Sequence, residues 1–188
     1  MSKTYQDRWT SSGPPAAGYR ECANRYAIVR AFCVDRYADR PFTVLDVGAN
    51  MSYFGLRLTE DFPACRVVAL EYDHIELRRA HLKRSKAQRV LLLNHRLSLV
   101  DLDTLAATWH FDLVLALSVL HHLPGESLTW ISGLRRLGDC LIVEAALHDS
   151  PRARKRRFEM PSDAELLGTG DSHLEPGKRR PIVLFGLP

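Results

Sequence analysis

The stretch Val44-Leu45-Asp46-Val47-Gly48-Ala49-Asn50-Met51-Ser52-Tyr53-Phe54-Gly55 carries an apolar run into a glycine turn and out into a second apolar segment. Its spacing predicts a strand over TVLDVGA (43–49) and a helix over MSYFGLRLTEDF (51–62). Outward from it the alternation repeats. RVVALEYD (66–73) reads as a strand, HIELRRAHLKRSK (74–86) as a basic helix, and VLLLNHRL (90–97) as a third strand. A helical stretch surrounds Leu99 to Ala107, and FDLVLALSVL (111–120) reads as a fourth strand. Glu126 to Leu137 reads as a helix ended by Gly138, and CLIVEAAL (140–147) as a fifth strand. Upstream, Glu21 to Cys33 has helical spacing, with Cys22, Tyr26, Val29 and Cys33 on one stripe.

The strands are short continuous apolar runs, which suits a parallel sheet covered on both faces by helices. After residue 150 the regularity changes, and ELLGTGDSHLEPGKRRPIVLF reads as two antiparallel strands around a Gly/Pro-rich turn. The expected fold class is α/β: a doubly wound, Rossmann-like, mostly parallel sheet with helices on both faces and an antiparallel C-terminal edge. Residues 1–40 are read as an N-terminal arm and helix, and residues 41–188 as one compact domain.

A chain of 188 residues can bury a full core, and 46% hydrophobic with 26% charged residues is ordinary for a globular protein. No apolar run approaches the roughly 20 residues of a membrane span. The N-terminal MSKTYQDRWTSSGPP lacks the apolar centre of a signal peptide. Cys22, Cys33, Cys65 and Cys140 are scattered without a C-x-x-C pair, so reduced, buried thiols in a cytoplasmic protein are expected rather than disulfides or zinc. The net charge of +4 permits an anionic partner without demanding one.

In such sheets ligands sit at the carboxyl ends of the strands, so the first turn is the place to look. A dinucleotide loop wants G-x-G-x-x-G, and Gly48-Ala49-Asn50-Met51-Ser52-Tyr53 matches one glycine of three. The P-loop pattern is absent. A cofactor without phosphate, S-adenosylmethionine, needs close backbone approach but fewer glycines. Asn50 substitutes for glycine because asparagine tolerates positive φ. Glu71, ending the second strand, can accept hydrogen bonds from both ribose hydroxyls; alone it would read as a solvated strand end.

DVGANMSYFGLRL, ALEYD, FDLVLALSVLHHLP and LIVEAAL, in that order, resemble the successive motifs of class I S-adenosylmethionine-dependent methyltransferases. More narrowly, the chain resembles the methyltransferase domain of bacterial O-antigen chain terminators, which pair a methyltransferase with a kinase. The matching features are Tyr5-Gln6, Arg20-x-Cys22-x-x-Arg25, Leu117-Ser118-Val119-x-His121-His122, Glu144, and Gly168 to Pro181 with Ser172-His173-Leu174 and Arg180-Pro181. Ser52 departs from that pattern where the family has a glycine, and no kinase follows residue 188, so the resemblance does not carry over the two-step route of chain termination and leaves a separate kinase partner open.

The resemblance implies S-adenosylmethionine as cofactor, S-adenosylhomocysteine as product, and contacts from Gly48, Ala49, Asn50, Glu71 and Tyr72. Arg25 would meet the methionine carboxylate, with Tyr5 and Gln6 folding over as a lid. Arg96 and Leu97 would lie at the adenine, and Leu117 and Ser118 close to the reacting methyl. On the acceptor side stand His121, His122 and Glu144, with His173 and Arg180 from the late hairpin. The adjacent histidines lack the spacing of a metal site; one is expected to pack and the other to face the acceptor. A hydroxyl acceptor needs a base, which histidine can supply, whereas a phosphate needs only cationic positioning. The acceptor implied is a saccharide hydroxyl or a sugar phosphate. The run Arg152-Ala153-Arg154-Lys155-Arg156-Arg157 keeps RNA as a second acceptor class, and the non-glycine Asn50 and Ser52 keep a non-catalytic binding module as a further reading.

Overall fold

The structure, a computed structural model, describes residues 5–9, 16–38, 40–84, 88–145, 161–172 and 177–186. The chain forms two compact units, Met1–Arg96 and Leu97–Pro188. In the first, α1 (Ala23–Tyr37) leads to β1 (Phe42–Val47), α2 (Tyr53–Asp61), β2 (Cys65–Glu71), α3 (Ile75–Arg84) and β3 (Val90–Asn94). β1 pairs in parallel with β2, Phe42 opposite Cys65 and Val47 opposite Leu70, and β2 pairs in parallel with β3, Glu71 opposite Asn94. Val44, Leu45, Val67 and Ala69 fill the sheet interior, and α2 buries Tyr53, Phe54, Leu56 and Leu58. The α1 stripe of Tyr26, Val29 and Cys33 is buried as its spacing predicts. At the amino end of the sheet Tyr37 stacks on Phe42 at 4.4 Å, and Phe62 meets Phe42 edge-on at 5.4 Å.

The described part of the N-terminal arm is pinned by one carboxylate. Asp7 accepts from the amides of Gly18 and Cys22, both at 2.8 Å, and so receives an otherwise unpaired N–H at the start of α1. Gly18 is required there, because a Cβ would lie 2.3 Å from the Gln6 carbonyl. Beyond it, the Arg57 guanidinium sits 4.1 Å from the Trp9 ring, and the Trp9 indole donates to Glu60 at 2.5 Å.

The second unit holds α4 (Leu99–Thr108), β4 (Phe111–Leu117), a 3-10 turn (Leu120–His122), α5 (Ser127–Arg135), β5 (Gly138–Glu144), β6 (Glu165–Asp171) and β7 (Arg179–Phe185). β4 and β5 are parallel, with Leu117 opposite Glu144. β7 runs antiparallel to β5 and to β6, which is the antiparallel edge expected at the C-terminus. Ser98 and Asp101 form a capping box at the start of α4. Leu113, Leu115 and Ile142 are fully buried, so truncating any one to alanine costs about 2–5 kcal/mol. The strand order is β3-β2-β1 in the first unit and β4-β5-β7-β6 in the second, a mostly parallel α/β arrangement. All four cysteines are free and buried. Among the described residues no helix is long and apolar enough to cross a membrane.

Some boundaries differ from the sequence reading for local reasons. The fourth strand stops at Leu117 rather than at residue 120, because Ser118 turns to φ 57°, outside the extended region. The third stops at Asn94 rather than at residue 97. Gly138 does not end the fourth-strand crossover helix but opens β5. A Cβ at Gly138 would lie 2.6 Å from the Phe111 carbonyl oxygen, so the glycine permits close strand contact instead of capping.

Candidate functional site

At the β1–α2 turn, Gly48, Asn50 and Ser52 all take left-handed backbone, with φ of 70°, 51° and 56°. The alternation explains the motif: every second residue needs the conformation that glycine adopts most easily. Asn50 fulfils the expectation that it tolerates positive φ. Ser52 is a costlier choice. It is the N-cap of α2 without a capping bond, and its buried Oγ has no hydrogen-bond partner among the described residues.

Glu71, at the end of β2, ties this turn to the next one. Its Oε2 accepts from the Asn50 amide at 3.0 Å, and its Oε1 accepts from the amides of Tyr72 and Asp73 at 2.9 and 3.0 Å. Arg78 stands 3.7 Å from Oε2 and donates through Nε to the Asn50 carbonyl at 2.7 Å. Of the roughly four acceptor positions of a carboxylate, the three amides use all but one. A vicinal diol that bonds Glu71 through both hydroxyls therefore displaces one amide. The exposed Tyr72 ring lies 5.3 Å from the Arg96 guanidinium, which brings two of the expected cofactor-binding residues together.

Asp46 is a charged residue in an apolar strand that motif reading passed over, although a carboxylate inside VLDVG was visible. It is 3% exposed, and its Oδ2 is buried without a hydrogen-bond partner among the described residues. Burial pushes its carboxyl up to about 7; the Glu71 carboxylate adds to the rise and Arg25 opposes it. Arg25 is buried, donates from Nε and Nη2 to the Glu21 carbonyl and from Nη2 to the Cys22 sulfur at 3.1 Å, and lies 5.3 Å from the Phe54 ring. Tyr5 accepts through its hydroxyl from Arg20 at 2.8 Å, and Gln6 bridges to Arg20 in parallel pairing, so the arm packs onto the segment before α1.

In the second unit three residues singled out separately by sequence form one buried cluster. The Ser118 hydroxyl donates to Glu144 Oε2 and accepts from Arg180 Nη1, each at 2.9 Å. Ser118 ends β4, Glu144 ends β5 and Arg180 lies in β7, so three strands converge on one hydroxyl. Glu144 and Arg180 are each 1% exposed, so they act as an interior charge pair bridged by the serine rather than as free surface groups. Leu97 and Leu117 are also buried in this unit. His121 is half-buried and His122 exposed, their rings 4.0 Å apart. A cavity of about 620 Å³ lined by His110, Ile131, Arg135 and Asp163 opens at the amino end of β4, the end away from Ser118. His173 and the basic run 152–157 lie outside the described residues.

Residues 45–143 match the model of a methyltransferase domain family. The chain belongs to that family. S-adenosylmethionine is therefore its cofactor. The structure is similar to that of the bifunctional kinase-methyltransferase WbdD, with TM-score 0.73 and 23% identity over 99% of this chain and 44% of the WbdD chain. WbdD bound to a kinase inhibitor gives TM-score 0.77 and 22% identity over 99% of this chain and 46% of that one. This methyltransferase thus spans less than half the length of the WbdD chains. Magnesium protoporphyrin IX methyltransferase from Synechocystis PCC 6803 with bound S-adenosylhomocysteine gives TM-score 0.62 and 17% identity, covering 86% of this chain and 80% of that one. No curated protein matches the methyltransferase by sequence.

Two outcomes follow from this geometry. Ser52→Gly relieves a left-handed β-carbon and removes an unpartnered buried hydroxyl, and only part of that gain is offset by unfolded-chain entropy. Urea unfolding of the variant should show about 1–2 kcal/mol of added stability at unchanged m. For Asp46, the folded pKa of about 7 lies above the ordinary aspartate value of 3.8, so the folded state holds a proton that the unfolded chain releases between them. Stability from this group is full below that window and falls as pH rises through about 7. In Asp46→Asn, urea midpoints measured from pH 5 to 8 should lose that part of the decline.

Proposed function

We propose that this methyltransferase moves a methyl group to an oxygen acceptor, a saccharide hydroxyl or a sugar phosphate. The observation that carries the proposal is the likeness to a kinase-methyltransferase over 99% of the chain, joined to the Glu144 and Arg180 matches named in the sequence. In this reading the residues of the first unit fit the cofactor. The unpartnered Asp46 oxygen marks a buried site for a cation, which suits the ammonium of the methionine end. Arg25 supplies positive charge for the neighbouring carboxylate. Glu71 takes the ribose, and Tyr72 with Arg96 flanks the adenine. Tyr5 and Gln6 cover the methionine end.

When bound, the sulfonium supplies an electrophilic methyl group for in-line displacement, and no covalent enzyme intermediate is required. The protein's part is to align donor and acceptor and exclude water. For a hydroxyl acceptor, the exposed His122 takes the proton, with His121 packed against it to fix its ring. Glu144 and Arg180 position the end of β4 through Ser118. For a phosphate acceptor no proton need be removed, and cationic groups suffice. A partner kinase acting first would supply that phosphate.

The test uses deuterated-methyl S-adenosylmethionine and an oligosaccharide with and without a terminal phosphate, read by mass spectrometry. Methyl gain on either supports the proposal. Gain on the unphosphorylated sugar should fall by about 10²-fold or more in His122→Ala, whereas gain on the phosphate should change little. Methylation of nitrogen or carbon acceptors only, or of RNA only, would contradict the proposal.

A further inference from the structure

Arg78 is 5% exposed and gathers backbone from the two turns around Glu71. Its Nε donates to the Asn50 carbonyl at 2.7 Å, and its Nη1 donates to the Asp73 carbonyl. Its Nη2 faces Glu71 Oε2 at 3.7 Å, beyond hydrogen-bond distance but close enough to compensate the carboxylate's charge. The amides of the same Asn50 and Asp73 donate to Glu71. One guanidinium therefore holds the carbonyl side, and one carboxylate the amide side, of the same two residues. Burial pulls the Arg78 pKa down from its ordinary value, opposed by Glu71 and Asp73. A group so placed stays charged at neutral pH, because an arginine is protonated throughout the ordinary range. Asn50 is held left-handed at φ 51°, and His74, whose carbonyl accepts from the Arg78 amide at 3.3 Å, at φ 47°.

We infer that Arg78 is a positioning residue for the sugar of S-adenosylmethionine: it clamps the Asn50 and Asp73 carbonyls so that Glu71 keeps one acceptor position open toward a ribose hydroxyl. The inference rests on the assignment of Glu71 to the ribose. A lysine at 78 would keep the charge but, as a single ammonium, could not span both carbonyls with the planar fork that arginine provides. Without the clamp, the Glu71 carboxylate can rotate, and the distinction between a hydroxyl and a hydrogen at the ribose weakens.

The test compares binding of 5′-methylthioadenosine and its 2′-deoxy counterpart to the whole chain, to Arg78→Lys and to Arg78→Met. The ratio of the two affinities within one preparation is insensitive to any misfolded fraction, which a merely structural role would change. The unsubstituted protein should prefer the ribose form by about tenfold or more, the worth of a hydrogen bond to a charged acceptor. In both variants the preference should fall below about threefold, and Glu71→Gln should add no further loss on the Arg78→Met background. An unchanged ratio in Arg78→Lys, with ribose preference intact in the unsubstituted protein, overturns the inference alone. No ribose preference in the unsubstituted protein overturns the Glu71 assignment and the inference together.

Discussion

The Glu71 carboxylate gathers the amides of Asn50, Tyr72 and Asp73, and the turns at the carboxyl ends of β1 and β2 depend on that gathering. Hydrogen bonds to a charged acceptor are roughly twice as strong as neutral ones, so three of them fix both turns. The β1–α2 turn can present the Asn50 amide only because residues 48, 50 and 52 alternate through left-handed backbone. Asp46, near the end of β1, keeps a buried oxygen without a hydrogen-bond partner among the described residues. The apparent oddity of the motif, two polar residues in glycine positions, is a matter of conformational cost rather than of a different ligand.

The second unit solves a different problem. Glu144 and Arg180 come from strands that run antiparallel, and Ser118 joins them through a single hydroxyl. A buried pair of opposite charge is expensive to desolvate unless its members are hydrogen-bonded, and the serine bridge gives each of them one such bond. Ser118 sits at φ 57° to do so, which is the conformation that ends β4. The cluster thus sets where the strand stops and the following turn with His121 and His122 begins.

The layered pattern was legible because buried parallel strands must be apolar on both faces, as VVAL (67–70) and LVLAL (113–117) are. The α1 stripe was legible for the same periodic reason. Strand ends were less so: Ser118 does not announce a left-handed residue, and Gly138 reads equally well as a cap or as a close-contact position. The sequence named Ser118, Glu144 and Arg180 one by one, but their union depends on pairing across 62 positions between Ser118 and Arg180, which no local pattern encodes. Asp7 and Arg78 escaped notice because their partners are backbone groups, and any residue type supplies those. Asp46 was in plain view, yet its meaning lies in what surrounds it rather than in its spacing.

The most direct measurement is a calorimetric titration of the protein with S-adenosylhomocysteine, with NAD as a control and Glu71→Ala beside the unsubstituted chain. The account predicts micromolar binding, about −8 kcal/mol, weakened in the variant, and no binding of NAD. Failure of the unsubstituted protein to bind S-adenosylhomocysteine, or equal binding of NAD, would contradict it.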